Sequence, residues 1–547
     1  MIRDGVVPWP ADLAYAYRVA GCWRGRTLGS YLWEWAEQRG DRIAVVDGDR
    51  RLSYRDLAIA ADRLAAELAG LGLGPGDTVI VQLPNCWEFV VATFACFRSG
   101  VVPVMMLPAH REYELSAVGA HVGAKAVLVP DRWRGYDHQR LARDVADGLP
   151  GPAHVLVVGD EVYPGSVDVR AVLRDAGERD AAARRDRFDA CHPGAADVAV
   201  FLLSGGTTGI PKVIARTHDD YAYNIRRAVE ACGFGPETRY LAVLPAGHNF
   251  PLANPGILGA LYAGGRVVML PSPRPDAVFE TIEAERVTVT SAVPAVALKW
   301  LEAAGRNRHD LTTLQYIHIG GSMLAPEVAA RIGPALGCRI QQVYGMAEGL
   351  VCYTPLDAPD AIAHATQGRP ISPYDELRVV DPDGHAVAPG QVGELLTRGP
   401  YTPRGYFRAL VQNQVSFTAD GWYRTGDLVR ITPDGYVVVC GRVKDLINRA
   451  GEKISAGEIE ALMQELPGIA EAAAVAIPDP EVGERVCAFV RPHPGSRPTL
   501  DTIREALTAR GLAVFKLPER LELVDELPHT PIGKPDKKAL RARAAGR

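Results

Sequence analysis

Thr78-Val-Ile-Val-Gln-Leu-Pro-Asn-Cys-Trp-Glu-Phe-Val-Val-Ala-Thr-Phe-Ala-Cys-Phe-Arg-Ser99 carries the reading of the fold. Thr78 to Leu83 is a short apolar run of strand length, and Trp87 to Ser99 reads as a helix. Upstream, Leu52 to Leu71 reads as another helix. Downstream, short runs rich in Val and Ile return at Ala126 to Val129, Val155 to Val158, Val198 to Leu203, Arg266 to Leu270, Val287 to Ala292 and Tyr316 to Ile319. Strands alternating with helices predict a parallel sheet covered by helices, so the fold class is α/β. The polar segment from Asp175 to Asp189 is expected to be a surface connection. After about residue 375, turn signals at Asp383-Gly384, Pro389-Gly390, Asp420-Gly421 and Asp434-Gly435 predict a small β unit over about 375–441. Residues 442–547 are a domain-sized remainder. In it Ser455 to Glu458 fits a capping box ahead of Ile459, Leu462, Met463 and Leu466 at helical spacing.

The whole chain has 547 residues, which at about 150 residues per domain predicts three or four folding units. Hydrophobic residues are 47% and charged residues 23%, the balance of a globular chain with a large core. With 60 Lys+Arg against 65 Asp+Glu there is no basic footprint, so nucleic acid is not an expected partner. Nine scattered cysteines without a CxxC pair argue for reduced thiols rather than a disulfide or zinc framework. The N-terminal residues lack the apolar core of a secretory signal, and a cytoplasmic location is expected. Leu241 to Gly265 contains no Lys, Arg, Asp or Glu, but its three prolines and five glycines suit a buried irregular loop better than a membrane span. Uncharged yet polar, it is a candidate binding wall.

Leu203-Ser-Gly-Gly-Thr-Thr-Gly-Ile-Pro-Lys212 follows a strand and gathers hydroxyls and flexible backbone ahead of one lysine. Such a loop suits phosphate oxygens, although a Gly/Thr surface turn is the plain alternative. It is not a Walker A loop, since Ile210 and Pro211 separate Gly209 from Lys212. Four further segments follow in order: Tyr344-Gly-Met-Ala-Glu348, Tyr423-Arg-Thr-Gly-Asp427, Gly441-Arg-Val-Lys-Asp-Leu-Ile-Asn-Arg449 and Pro528-His-Thr-Pro-Ile-Gly-Lys534. Together the five resemble the acyl-adenylate-forming superfamily of acyl-CoA synthetases, peptide-synthetase adenylation domains and luciferases. The resemblance covers essentially the whole chain. It implies a large N-terminal domain of parallel βα subdomains with its small β unit, residues 1–441, and a small mobile α+β C-terminal domain, residues 442–547.

The implied chemistry joins a carboxylate to the α-phosphate of ATP. Two anions meet, so cationic neutralisation matters more than a general base. Lys534 resembles the catalytic lysine, against the alternative of an ordinary tail lysine like Lys537 and Lys538. Glu348 offers a hard carboxylate for Mg²⁺. Tyr344 resembles the ring that stacks on adenine, Asp427 is suited to both ribose hydroxyls, and Arg442 resembles a second nucleotide contact. The resemblance assigns Thr207, Thr208 and Lys212 to the β- and γ-phosphates, and brings Ser204, Gly205, Gly321 and Gly345 to the nucleotide. Lys444 falls at the hinge, and Gly451 would line the thiol entry. The acceptor implied is CoA or the phosphopantetheine of an aryl carrier protein, and the superfamily often forms homodimers.

Leu244-Pro-Ala-Gly-His-Asn-Phe-Pro-Leu-Ala-Asn-Pro-Gly256 resembles the aryl-acid branch, whose best-known members activate 2,3-dihydroxybenzoate or salicylate for siderophores. Tyr17 to Arg26, Thr217-His-Asp-Asp-Tyr221 and Gln341 to Val351 share that resemblance. Amino-acid adenylation domains usually hold an α-ammonium with an aspartate where Asn249 stands, and a neutral amide suits an acid lacking that cation. Asn249 would bind the carboxylate or its ortho substituent, Phe250 and Val351 would wall a flat ring, and Gly321 and Ala347 would line it. His248 resembles an aromatic gate beside the carboxylate. Asn254 departs from the Ser or Cys usual in this branch; an amide both donates and accepts, which suits a substituted 2-hydroxy- or 2-aminobenzoate or a heteroaryl relative. The expected activity is aryl-AMP formation and thiol transfer for siderophore or other secondary-metabolite biosynthesis. A medium-chain acyl or amino-acid enzyme, and a non-catalytic nucleotide-binding protein, are the rival readings.

Overall fold

Seven of the expected strands divide between two sheets in the computed structural model, which describes residues 4–174, 180–190, 193–204, 211–449, 452–479, 482–510, 512, 514–530 and 533–546. The runs at Thr78–Val81, Ala124–Pro130, His154–Val158 and Val198–Leu203 lie in a seven-stranded sheet. Arg266–Met269, Val289–Ala292 and Tyr316–Gly320 lie in a nine-stranded one. Both have parallel centres; the nine-stranded sheet is antiparallel at both edges and the seven-stranded sheet at one. The parallel βα subdomains expected are present, and the division of these runs between two sheets is what the runs themselves do not disclose. Apolar runs buried on both faces look alike whichever sheet they join, because strand order is set by long-range pairing.

The helix Trp87–Ser99 explains how two sheets share one core. All 13 of its residues are buried, and it touches strands of both sheets. A helix apolar all round belongs in an interior, and its two charges there need partners. Arg98 is paired with Asp62 at 2.6 Å and Glu88 with Arg170 at 2.7 Å.

The β unit is a four-stranded antiparallel sheet of Glu376–Val380, Gly393–Arg398, Tyr423–Ile431 and Val437–Arg442. Its turns carry Gly384 and Gly435 at φ +87° and +80°, backbone that side chains rarely adopt. The last sheet has five strands, from Leu446–Arg449 to Arg520–Leu523. The helix Ala456–Gln464 packs in an apolar cluster with Ile447 and Val486, while Leu540 and Ala544 of the helix Lys537–Ala544 pack with Val475 and Phe489 in another. Ser455 caps the first of these helices by accepting from the Glu458 amide.

Two expectations change on folding. Leu241 to Gly265 is not an irregular loop: it holds the buried helices Asn249–Ala253 and Gly256–Tyr262, each too short to be signalled by periodicity. The connection expected at Asp175 to Asp189 includes the helix Ala181–Ala190, tied down by buried Phe188 and by Asp189 on Arg98. The eight described cysteines are free thiols, and among the described residues no helix is long and apolar enough to cross a membrane.

Candidate active site

The strand Val198–Leu203 pairs antiparallel with Val213–Thr217, so the loop between them returns to its start. Ser204 N–H donates to the Lys212 carbonyl at 3.0 Å, and Ser204 Oγ accepts from the Lys212 amide at 3.1 Å. Gly205, Thr207 and Thr208 lie outside the described residues. Lys212 Nζ stands over the Tyr406 ring, 4.9 Å from its centroid. Burial lowers the Lys212 ammonium, while the Glu348 carboxylate holds it up. The Tyr406 hydroxyl donates to Glu348 Oε1 at 2.8 Å and lies 3.1 Å from the Tyr423 hydroxyl. Asn413 clamps Tyr406 from behind, accepting from its amide at 2.7 Å and donating to its carbonyl at 3.0 Å.

Glu348 is one buried hard carboxylate with a single oxygen engaged by Tyr406, which fits Mg²⁺ carried mainly by substrate phosphates rather than caged by protein. Among the described residues the one group with metal-ligand spacing, Asp381, Asp383 and His385, is a turn in which Asp381 Oδ1 already accepts from the Asp383 and His385 amides.

Tyr344 and Glu348 flank the turn between Arg339–Met346 and Gly349–Tyr353, in which Gly345 pairs with Val351. Asp427 and Arg442 face each other across the β unit. Tyr344 donates to Asp427 Oδ2 at 2.9 Å and Arg442 Nε to Asp427 Oδ1 at 2.6 Å. The three residues expected at the nucleotide are thus one cluster. Each Asp427 oxygen already has one donor, so ribose hydroxyls would take the remaining lone pairs. The Tyr344 ring packs among Leu350, Cys352, Leu395, Val429 and Val437.

Lys534 reaches this cluster from the C-terminal end of the chain. The backbone around it closes on itself, Thr530 N–H donating to the Lys534 carbonyl at 2.7 Å and Lys534 N–H to Thr530 Oγ at 3.2 Å. Gly533, at φ +79°, approaches Val293 so closely that a Cβ would lie 3.0 Å from its Cγ2. The Lys534 side chain passes Gly321, where a Cβ would lie 3.9 Å from Lys534 Cε. Burial brings the Lys534 ammonium down to about 8; Arg442 and Lys444 press it lower, and Asp427 and Glu348 hold it up. Lys444 sits in the 3₁₀ turn Val443–Asp445, whose Asp445 accepts from Arg541 at 2.9 Å. Gly451 lies outside the described residues.

His248 caps the helix Asn249–Ala253, its Nδ1 accepting from the Phe250 amide at 3.2 Å. Burial, with the Lys534 ammonium adding to it, drives the imidazole down to about 4, so it is neutral at pH 7. Asn249, Phe250, Asn254 and Val351 are all buried, and the Ala347 carbonyl accepts from Arg216 at 3.1 Å. Asn249 Oδ1 accepts from the Tyr221 hydroxyl at 2.8 Å. Asn254 Oδ1 accepts from Asn224 at 2.8 Å, and its Nδ2 donates to the Asn249 carbonyl at 3.3 Å. Asn254 thus keeps one oxygen lone pair and one N–H, in an orientation set by Asn224.

Four residues of this arrangement escaped the sequence reading. Tyr406, Tyr221 and Asn224 act through another side chain, which leaves no motif. Asn85 is the fourth: its Nδ2 donates to the carbonyls of Ala242, Leu244 and Leu270, and its Oδ1 accepts from the Ala246 amide. An asparagine between a strand and a helix, beside Pro84, was the only available signal. The segments at Tyr17 to Arg26 and Thr217 to Tyr221 prove to be neighbours, since Asp219 accepts from the Gly25 amide at 2.9 Å.

The model for AMP-binding enzymes matches residues 32–407, and that for the AMP-binding enzyme C-terminal domain matches 458–534. The chain belongs to the AMP-binding enzyme family. It is 55% identical to a salicylyl-CoA synthase / salicylate adenylyltransferase of a Streptomyces species, over 100% of this chain and 99% of that one. It is 54% identical to the 2-hydroxy-7-methoxy-5-methyl-1-naphthoate–CoA ligase of Streptomyces carzinostaticus, over 99% of this chain and 97% of the relative. The apo structure of MbtA from Mycobacterium smegmatis superposes with a TM-score of 0.75 at 44% identity, covering 98% of this chain and 99% of that one.

Proposed function

We propose that the protein is an ATP- and Mg²⁺-dependent ligase that converts an aryl carboxylic acid to aryl-AMP and passes the aryl group to a phosphopantetheine thiol. A carboxylate oxygen attacks the α-phosphorus and pyrophosphate leaves. The thiol sulfur then attacks the acyl carbonyl and AMP leaves. The observation that carries this reading is the single ammonium of Lys534, set between the Asp427–Arg442 pair and a neutral His248 beside Asn249. Positive charge there, and none in the charge-free stretch that would hold the ring, supports this reading.

Within this reading Ser204, Gly205, Thr207, Thr208 and Lys212 hold the β- and γ-phosphates, while Tyr344, Gly345, Asp427 and Arg442 hold the nucleoside. Gly321, Ala347, Phe250 and Val351 enclose the ring. Bound at Glu348, Mg²⁺ supplies neutralisation of the phosphate charge. Residues 1–441 and 442–547 move as two bodies about Lys444 between the two half-reactions, which would withdraw Lys534 and admit the thiol past Gly451. Two relatives named for CoA support CoA as acceptor, and an aryl carrier protein offers the same thiol. The family resemblance is what supports a homodimer, and scattered single cysteines without a CxxC pair are what support the cytoplasm.

Acid-dependent ATP–pyrophosphate exchange tests the first half-reaction. The expected signal is confined to one or two acids among salicylate, 2,3-dihydroxybenzoate, 3-hydroxypicolinate and their amino analogues. Exchange only with an amino acid or a medium-chain fatty acid would overturn the aryl reading. Thioester formation with CoA against a phosphopantetheinylated carrier then separates the acceptors.

A further inference from the structure

Tyr221 and Asn224 lie three residues apart on the helix His218–Ala231, hence on one face, and each holds the carboxamide of one pocket asparagine. The orientation of the Asn224–Asn254 pair is fixed by chemistry. Asn224 Nδ2 faces the Ala253 carbonyl at 3.1 Å, so that atom is a donor, and the Asn254 atom it also touches is therefore the oxygen. Asn254 Nδ2 in turn faces the Asn249 carbonyl. Turning both amides would set Asn224 Oδ1 against the Ala253 carbonyl and Asn254 Oδ1 against that of Asn249. The observed arrangement costs only one unpartnered acceptor, Asn224 Oδ1, which is enclosed and offers no surface to a ligand.

At Asn249 the reasoning is similar. Tyr221 is wholly buried and its ring lies under the Arg216 guanidinium, 4.9 Å from the centroid, with Arg216 itself held by Asp220 at 2.6 Å. A buried phenol proton needs an acceptor, and Asn249 Oδ1 supplies it at 2.8 Å. Held this way, Asn249 turns its oxygen to Tyr221 and leaves its carboxamide nitrogen without a protein acceptor among the described residues, whereas Asn254, with one lone pair and one N–H unused, keeps both characters.

We propose that Tyr221 is a positioning residue that turns the Asn249 carboxamide into a hydrogen-bond donor toward the pocket, while Asn224 fixes the orientation of Asn254, so the site selects acids with an acceptor on the ring edge beside the carboxylate. The inference rests on the aryl-acid reading of the site. An ortho-hydroxyl turns its proton inward to the acid's own carboxylate and presents oxygen lone pairs outward; a ring nitrogen presents a lone pair directly. An ortho-amino group keeps one N–H pointing outward, and its lone pair is spread into the ring. Salicylate-type and azine-2-carboxylate acids fit this wall, whereas anthranilates set donor against donor.

Matched pairs in the exchange assay test this with the full-length protein: salicylate against anthranilate, and 3-hydroxypicolinate against 3-hydroxyanthranilate. The expected result is a preference of about 10–100-fold in kcat/KM for the acceptor-bearing member of each pair. Tyr221→Phe, which leaves the Asn249 amide free to turn, is expected to lower the salicylate-to-anthranilate ratio by about tenfold while the KM for ATP stays unchanged. A purely structural role would lower both acids alike, so an unaltered ratio in a folded Tyr221→Phe protein overturns the proposal. Anthranilate equal to or better than salicylate in the natural protein overturns it too, leaving the aryl reading intact. Exchange confined to aliphatic acids removes the aryl reading and this inference together.

Discussion

The two ends of the candidate site are held in different ways. At the phosphate end, charges gathered from distant parts of the chain meet directly: Lys212 and Glu348 around Tyr406, Asp427 on Arg442, and Lys534 from the C-terminal segment. At the acid end the residues expected to line the pocket are uncharged, and their amides are fixed by a second layer of hydrogen bonds from Tyr221, Asn224 and Asn85. The first arrangement suits chemistry that every relative shares, because neutralising phosphate requires charge whatever the acid. The second suits selection, because a neutral donor or acceptor discriminates by direction rather than by attraction.

Removing a charge should therefore cost more than removing a neutral support. Lys534→Ala is expected to lower acid-dependent exchange by about 10²–10³-fold, the scale of losing a charge that meets the transition state. Calorimetric affinity for ATP should change little if, as proposed, Lys534 arrives with a C-terminal domain that moves between the half-reactions. An exchange rate within a fewfold of the natural protein's would break the contrast at its strongest point.

Tyr406→Phe removes only the hydroxyl that reaches Glu348. A hydrogen bond to a carboxylate is worth about 1.5–3 kcal/mol, so adenylation should fall by about 10–100-fold. The Mg²⁺ concentration for half-maximal exchange should rise with it, and Mn²⁺ binding read by electron paramagnetic resonance should weaken in the presence of ATP. The KM for the acid should stay put. An effect on the acid instead would show that the two ends are not separately held.

Asn85→Ala tests the acid end. Four hydrogen bonds hold the start of the charge-free stretch; without them the Leu244 and Leu270 carbonyls and the Ala246 amide lose this partner, while the Ala242 carbonyl keeps the Leu270 amide. The KM for the acid is expected to rise about tenfold with the KM for ATP little changed. Thermal unfolding should show a loss of stability as well.

This division also explains what was legible in the sequence. The residues expected at the nucleotide and phosphates stand in short motifs, and the sequence reading assigned Lys212, Tyr344, Glu348, Asp427, Arg442 and Lys534 to one site. The α/β class was legible because strand and helix periods differ locally. The split into two sheets was not, since it depends on pairings between strands far apart, such as Val45 with Val267. Nor was the orientation of the Asn254 amide, which is decided by a side chain 30 residues away on another helix. Tyr221 stood inside a quoted segment, yet nothing in its spacing says that it points at Asn249.

The smallest expected effect is a pH dependence, and it separates the two ends without a mutation. Lys534 works as an ammonium and titrates at about 8, so adenylation should decline as pH rises through 8 and fall about tenfold per unit above it. His248 titrates at about 4 and stays neutral through the range, so the acid end adds no transition between pH 5.5 and 9. The decline should appear in kcat/KM for every acid accepted, because the charge lost belongs to the shared chemistry. Selectivity between acids should stay flat unless an acid itself titrates in the range. Lys534→Arg, whose charge persists to far higher pH, should lose the decline at whatever lower rate it supports. A decline that survives this change would assign the titration to another group and leave Lys534 without its role as the ammonium that meets both anions.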